Sequence, residues 1–523
     1  MRKRHVLGKA VALGMVLAVT MTGCGAASDV ASGWYKEGCF KAERTAEPTT
    51  GNASAQQGGV SGGNTSSAQG GVSGEAALLS YTEAQKLYVE YCRKSLRQFL
   101  KQSWGDNPQQ AAVLYSPANL YLVLGMLTEM SDGRTREQIR NAIGGIAVNG
   151  DFSSDMSKEE VDAALRKQEQ AVIRKAAQML YASVSSKKCR LADSVWLSDR
   201  YDFRAPVLKA LEKNYRAACN TGTMGDSSFD RQIKGWVDEQ TGGKLNEQTA
   251  KSIQTEQNMV LMLLSTLNFK DQWDEPIFDK KYTHTGTFYG QSTYTCGNTT
   301  EEEKIDPEKC EFMSTNFTGM FMETKKFQAV SLPLRSARMN VILPKKGISA
   351  EEFYKEGTIS RIISLCDPQS SDWTQAMVDL TMPKLDFKSE LNLIPMLEEM
   401  GVHNVFSEEK ADFSPLFQDG GKKDVFVSDA QQFGAMRVDE KGCSVASYTQ
   451  VVMNKSLAWA DIKMVMKCNR PFLIVVSNEK GLPLFVGAVN RIEEARTGEV
   501  YGGSGYCTID LGQTGAWSQR TFN

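Results

Sequence analysis

Apolar positions fall at helical spacing in the first third of the chain and in strand-like runs over the last half. In "EAQKLYVEYCRKSLRQFLKQ", Leu87, Tyr88, Tyr91, Leu96, Phe99 and Leu100 share one helical face. "SPANLYLVLGMLTEM" predicts a second helix with Pro117 in its first turn, and "GRTREQIRNAIGG" a third that stops at Gly144. "NMVLMLLSTLNFK" is a continuous apolar run with the length of a buried strand. "RMNVILP", "MVDLTMPKL" and "DVFVSDA" read as shorter strands, and "PFLIVVSNEKGLPLFVGAV" as a hairpin around Asn478-Glu479-Lys480-Gly481. Helices first and strands later predict an α+β fold, with no domain boundary between Leu78 and about Glu494.

One segment breaks this economy. Between the strands "FGAMRVDE" and "PFLIVVS" lie 28 residues, Cys443 to Arg470, with the strand-like core "GCSVASYTQVVMNKSLAWAD". Loops beyond about 12–15 residues are uncommon in compact domains and are usually functional. Read with period two from Gly442, one face carries Cys443, Val445, Ser447, Thr449, Val451 and Met453. The other carries Ser444, Ala446, Tyr448, Gln450 and Val452. No proline interrupts the run before Pro471, so every residue in it can donate to a ladder. The segment has the chemistry of a central strand in the position of a connector.

The N-terminus reads as an export leader. Arg2, Lys3 and Arg4 precede the apolar stretch "AVALGMVLAVTMTG", which ends at "MTGC". That ending resembles a bacterial lipobox, with lipid on Cys24. Residues 1–23 are then a signal peptide, and the chain is expected lipid-anchored on the outer face of the envelope, or secreted. Residues 24–77 are rich in Gly, Ser, Ala and Gln, a flexible tether reaching roughly 35–40 Å. Residues 495–523 form an extension with no assigned structure.

Composition narrows the chemistry. Sixty basic and 62 acidic residues give a net charge of −2, which offers no electrostatic case for nucleic acid. The cysteines show no CxxC pair, so a zinc site is not indicated; Cys296 and Cys310 are either a local disulfide or free thiols. Beyond His5 in the leader, only His284 and His403 remain, neither beside a nucleophile or a metal-ligand cluster. No GxSxG, HExxH, GxGxxG or phosphate-binding loop is present. No cofactor and no metal are expected.

The ordered segments are together similar to the serpin family. "YSPANLYLVLGMLTEMSDGRTREQI", "SVWLSD", "IKGWVDEQTGGKL", "STLNFKDQWDEPIF", "MPKLDF", "ADFS", "VDEKG" and "RPFLIVV…PLFVGAV" occur in the family's order across residues 78–494. The resemblance implies one domain of about nine helices and three β-sheets with an exposed reactive-centre loop. It also implies a serine protease inhibitor that acts by covalent suicide trapping: the target cleaves the loop, is held as an acyl-enzyme, and the loop inserts into the central sheet. The hinge would comprise Glu440, Gly442, Cys443, Val445, Ser447 and Thr449. Val445 and Tyr448 depart from the family's run of small residues. A polar cluster where the sheet opens maps to Ser116, Asn119, Ser265 and Gln432, with Gln432 where the family usually has histidine. Counting 16 positions from Glu440 places the reactive bond at Ser456–Leu457, suited to elastase-like proteases; one residue less gives Lys455–Ser456, suited to trypsin-like ones. Cysteine proteases are a second class of partner, and the chain is expected monomeric. The competing reading is a non-inhibitory surface binding protein of the same fold.

Overall fold

The computed structural model describes residues 11–21, 81–106, 111–144, 155–184, 188–242, 253–290, 292–296, 299–303, 307–418, 425–443 and 463–492. Cys24, the tether, Val445, Ser447, Tyr448, Thr449, Lys455, Ser456, Leu457 and the C-terminal extension lie outside these residues.

The three expected helices form where the periodicity places them. They are α1 (Tyr81–Leu100), α2 (Pro117–Met130) and α3 (Gly133–Ala142). Ser116 caps α2 by accepting the Asn119 N–H at 3.3 Å, and Pro117 fills a first-turn position that needs no N–H. Every residue of α2 except Glu129 is buried, as expected of a helix that is apolar all round. Five more helices follow: α4 (Lys158–Val184), α5 (Ala205–Tyr215), α6 (Ser227–Thr241), α7 (Glu356–Ser364) and α8 (Ile394–Glu399). The 27-residue α4 was not read from the sequence.

The central sheet has six strands in the order β14–β15–β1–β5–β3–β4. In chain order these are β1 (Val11–Met21), β3 (Cys189–Ser198), β4 (Ala218–Gly222), β5 (Met259–Phe269), β14 (Leu385–Asn392) and β15 (Val425–Val438). "DVFVSDA" and "FGAMRVDE", read as two strands, are the single strand β15. The stretch expected to be an export leader is the unexpected member. β1 pairs in parallel with both β15 and β5, so these two strands flank it and do not pair with each other.

The second sheet runs β17–β13–β10–β11–β12–β18–β19–β2, with β7 also on β10. Its members are β2 (Ala112–Tyr115), β7 (His284–Phe288), β10 (Glu308–Glu323), β11 (Phe327–Pro333), β12 (Ala337–Pro344), β13 (Thr374–Pro383), β17 (Lys463–Lys467), β18 (Phe472–Asn478) and β19 (Pro483–Val489). Residues 312–321 of β10 pair with β13, while 320–323 pair with β11. The long β10 thus joins two sheets into one path, which with the central sheet makes the expected three. Two ribbons complete the set: β6 (Asp271–Gln272) with β16 (Gly442–Cys443), and β8 (Ser292–Cys296) with β9 (Thr299–Glu303).

The core has three parts. Helices α1, α2, α4 and α7 bury Tyr88, Phe99, Leu122 and Ile362 against the sheets. Leu267, Phe269, Met436, Ile474 and Phe485 fill the space between the two large sheets. On the other face of the central sheet, Phe229, Ile233 and Val237 of α6 pack with Met262 and Leu264 of β5 and with Phe433 and Ala435 of β15. Helix α6 therefore lies across the strand position that β1 fills.

Candidate functional site: the hinge and the sheet opening

The chain leaves β15 in a tight turn. Asp439 and Gly442 exchange backbone hydrogen bonds at 3.1 Å in both directions, and the Lys441 N–H donates to Asp439 Oδ1 at 2.8 Å. Gly442 sits at φ +127° against β6; a Cβ there would come within 2.7 Å of Gln272 Cα and 2.8 Å of Asp271 O and Trp273 N. Glycine is demanded both by the dihedral and by the approach of another backbone. Gly442 and Cys443 then pair antiparallel with Gln272 and Asp271.

Side chains fasten the same turn. The Trp273 indole donates to Asp439 O at 3.1 Å, and the Thr283 hydroxyl to Glu440 Oε1 at 2.6 Å. Lys384 bridges Glu440 at 2.9 Å and Glu311 at 3.1 Å. Burial disfavours the charge on Glu440, but the Thr283 and Lys384 contacts outweigh it and hold the carboxyl below its ordinary value. Lys384 is correspondingly raised: burial lowers it, and the bonds to Glu440 and Glu311 overcome that. The hinge stability supplied by Glu440 is therefore present at neutral pH and lost as pH falls through that lowered pKa. Lys384→Met is expected to cost about 0.5–1 kcal/mol, the scale of a partly exposed pair, and less in high salt; urea titration at two ionic strengths checks it.

Lys384, Thr283 and the β6 partner were not assigned to the hinge from sequence. They lie far from it along the chain; the one available signal was that Lys384 and Trp273 belong to "MPKLDF" and "STLNFKDQWDEPIF".

The polar cluster forms beneath the opening. Ser116, Asn119, Ser265 and Gln432 are all fully buried. Gln432 on β15 grips the backbone of Ser116 twice, accepting its N–H at 2.8 Å and donating to its carbonyl at 3.4 Å. The Ser116 hydroxyl lies 2.8 Å from Asn119 Oδ1 and 2.9 Å from Leu484 O, to one of which it donates. These bonds tie the start of α2 to β15 and to β19. Ser265 stands apart on β5. Leu17 of β1 pairs with both Gln432 and Ser265, so one inserted strand separates them in the same row.

Beyond Ser265 in that row is Asp193 on β3, also buried. Tyr181 of α4 contacts Asp193 Oδ2 through its hydroxyl, and the same hydroxyl contacts the Tyr215 carbonyl. Burial pushes the Asp193 carboxyl up to about 7, against the opposing pull of the Ser265 and Tyr181 hydroxyls. No sequence signal marked this residue beyond its being an acid inside a strand.

His284 and His403 are exposed, with His284 stacked on Phe312 at 6.3 Å. Cys366 and Cys468 are buried, which pushes both thiols up to about 12 and leaves them poor nucleophiles. Among the described residues no group of three or more His, Cys, Asp or Glu stands where it would hold a metal ion. The side chain of Cys296 is outside the described residues, and with it the question of its pairing to Cys310.

The connector is also shorter than its 28 residues suggested. "KMVMK" is strand β17, paired in parallel with β13, so the span that joins the two sheets is residues 444–462. It leaves the end of β15 in the central sheet and enters an edge strand of the other.

Known proteins match this architecture. Residues 94–492 fit the family model "Serpin (serine protease inhibitor)". Plasminogen activator inhibitor 1 of Neovison vison is 25% identical over 421 residues, covering 79% of this chain and 94% of that protein. A serpin-like protein of Methanosarcina acetivorans is 23% identical over 402 residues, covering 76% and 85%. Among solved structures, the thermophilic serpin tengpin in its native state superposes with a TM-score of 0.60 at 20% identity, covering 79% of this chain and 95% of its own. Mouse protein-Z dependent protease inhibitor gives 0.60 at 19% identity, covering 80% and 100%. Family match, sheet order and a glycine hinge at the end of β15 converge, and the chain belongs to the serpin family.

Proposed function

We propose that this protein traps serine proteases covalently, with residues 444–462 as the bait and the strand position between β5 and β15, which removal of β1 with the leader would vacate, as the destination of the cut loop. The observation that supports the reading is the sheet itself: β5 and β15 are held one strand apart by β1, and the chain leaves β15 through Gly442 at φ +127°. A loop tethered to β15 would enter antiparallel to it, with Cys443, Val445, Ser447, Thr449, Val451 and Met453 on one face. We place the reactive bond at Ser456–Leu457, with Lys455–Ser456 as the neighbouring alternative. The targets are then elastase-like or trypsin-like enzymes, with cysteine proteases as a second class, and no cofactor takes part. The leader, the lipid on Cys24 and the tether would display a monomeric inhibitor outside the cell.

Incubation with pancreatic elastase and with trypsin, followed by a denaturing gel, tests this. Trapping by the processed chain gives a stable band of protease joined to residues 24–456, and mass spectrometry of the released residues 457–523 fixes the bond. Clean cleavage near Ser456 without that band would instead assign the fold a non-inhibitory binding role.

A further inference from the structure

Away from the hinge, a cavity of about 130 Å³ opens where the segment after α1 meets the end of β12 and the start of β18. Trp104 and Phe353 form its aromatic wall, edge to face with ring centroids 5.2 Å apart. Its rim is cationic, with Lys345, Lys346 and Arg470, and no acidic side chain is among the residues that line it. Lys345 is neutralised by Glu323 at 2.7 Å. Arg470 has no acidic partner among the described residues: its guanidinium donates to carbonyls, to Pro344 O at 2.8 and 3.2 Å and to Lys467 O at 3.4 Å. A guanidinium has five N–H donors, so two remain. Trp104 is 7% exposed, and its buried Nε1–H has no acceptor among the described residues. Buried donors are normally satisfied, and an orphan beside unneutralised cations marks a place suited to an anion.

We propose that this cavity binds a small aromatic carboxylate, with the ring against Trp104 and Phe353 and the carboxylate held by Arg470, Lys346 and the indole N–H. Size sets the class. An enclosed apolar cavity of about 150 Å³ accepts benzene; this one is slightly smaller but opens at its cationic rim, so it suits a single ring whose short acidic arm stays at the mouth, and it excludes a peptide. Charge sets the acid: a neutral isostere leaves Arg470 without its anion. The site is separate from the hinge and the sheet opening, so its ligand is independent of protease trapping.

Fluorine NMR titration of the full chain with 4-fluorobenzoate tests the assignment. Saturable binding with Kd on the order of 0.1–1 mM is expected for a ligand of this size. Arg470→Gln should weaken it about tenfold, as loss of a charge-assisted contact does, and Lys346→Gln about threefold. Because Arg470 also ties Pro344 to the approach of β18, Trp104→Phe is the second variant; it keeps the ring, removes the donor and should weaken binding severalfold. 4-Fluorobenzamide should bind at least about tenfold more weakly than the acid. No saturable binding, equal binding of acid and amide, or affinity unchanged in Lys346→Gln and Trp104→Phe would overturn the proposal.

Discussion

Replacing Asp193 by asparagine is expected to stabilise the fold at pH 8 by about 2–4 kcal/mol and to leave it nearly unchanged at pH 4. The carboxyl has a folded-state pKa of about 7 against an ordinary 3.8, so the native state holds its proton over a range in which the unfolded chain releases it. Each pKa unit is worth about 1.36 kcal/mol, and the cost of ionising Asp193 accumulates as pH rises from about 4 to 7, then levels off. Hydrogen-bond counting agrees. The Tyr181 hydroxyl has one proton and faces two acceptors, Asp193 Oδ2 and the Tyr215 carbonyl. Only a protonated Asp193 satisfies both, donating to the phenol oxygen while the phenol donates onward. An asparagine Nδ2–H does the same at every pH. The local charges are few: Arg216 lies over the Tyr181 ring at 4.9 Å, and Ser265 presents a hydroxyl from β5. Urea midpoints at pH 4, 6 and 8 for both proteins decide it. A wild-type chain whose stability rises from pH 4 to 8 relative to Asp193→Asn would refute the protonated assignment.

The second large effect is local. Gly442→Ala should undock the hinge, because its Cβ meets backbone atoms of Asp271, Gln272 and Trp273 that no rotamer change can move, at a φ that alanine rarely adopts. A cost of about 2–3 kcal/mol is expected for such strain, and the β6–β16 ribbon has only two residues a side with which to resist it. Amide exchange at Gly442 and Cys443 should accelerate about 30- to 150-fold, while the core strands β18 and β19 keep their protection. If the protein traps proteases as proposed, that activity should also decay faster on warm storage as loops insert uncut. Unchanged exchange at Gly442 would show that the ribbon does not hold the hinge.

Elements set by local pattern were readable in the chain: α1, α2 and α3, the buried strand β5, and the hairpin of β18 and β19. Elements set by distant partners were not. "KMVMK" passes for loop because five residues on a sheet edge carry no decisive period, and only β13 makes them a strand. Gly442 stood out in the sequence as the expected hinge, yet what surrounds its turn came from Asp271, Gln272, Trp273, Thr283 and Lys384, brought there by tertiary folding. Three of the four cluster residues meet directly; Ser265 lies on the far side of β1, paired with Leu17 as Gln432 is. Asp193 reads as an ordinary polar position in "LADSVWL", and its burial follows from α4 covering one face of β3 through Tyr181.

The strand between β5 and β15 has a kinetic side. Val11 pairs with Val425, and Thr20 with Ala435. Those partners emerge only near the end of synthesis, and contacts so distant in sequence form late. Should Val11–Met21 serve as the proposed export leader, it has two destinations that exclude each other, a translocation machinery or this sheet. Until β15 is made, only one of the two strands that flank it in this sheet, β5, is present. A leader engaged by that machinery before residue 425 has been added would never meet the complete pair of strands that holds it here.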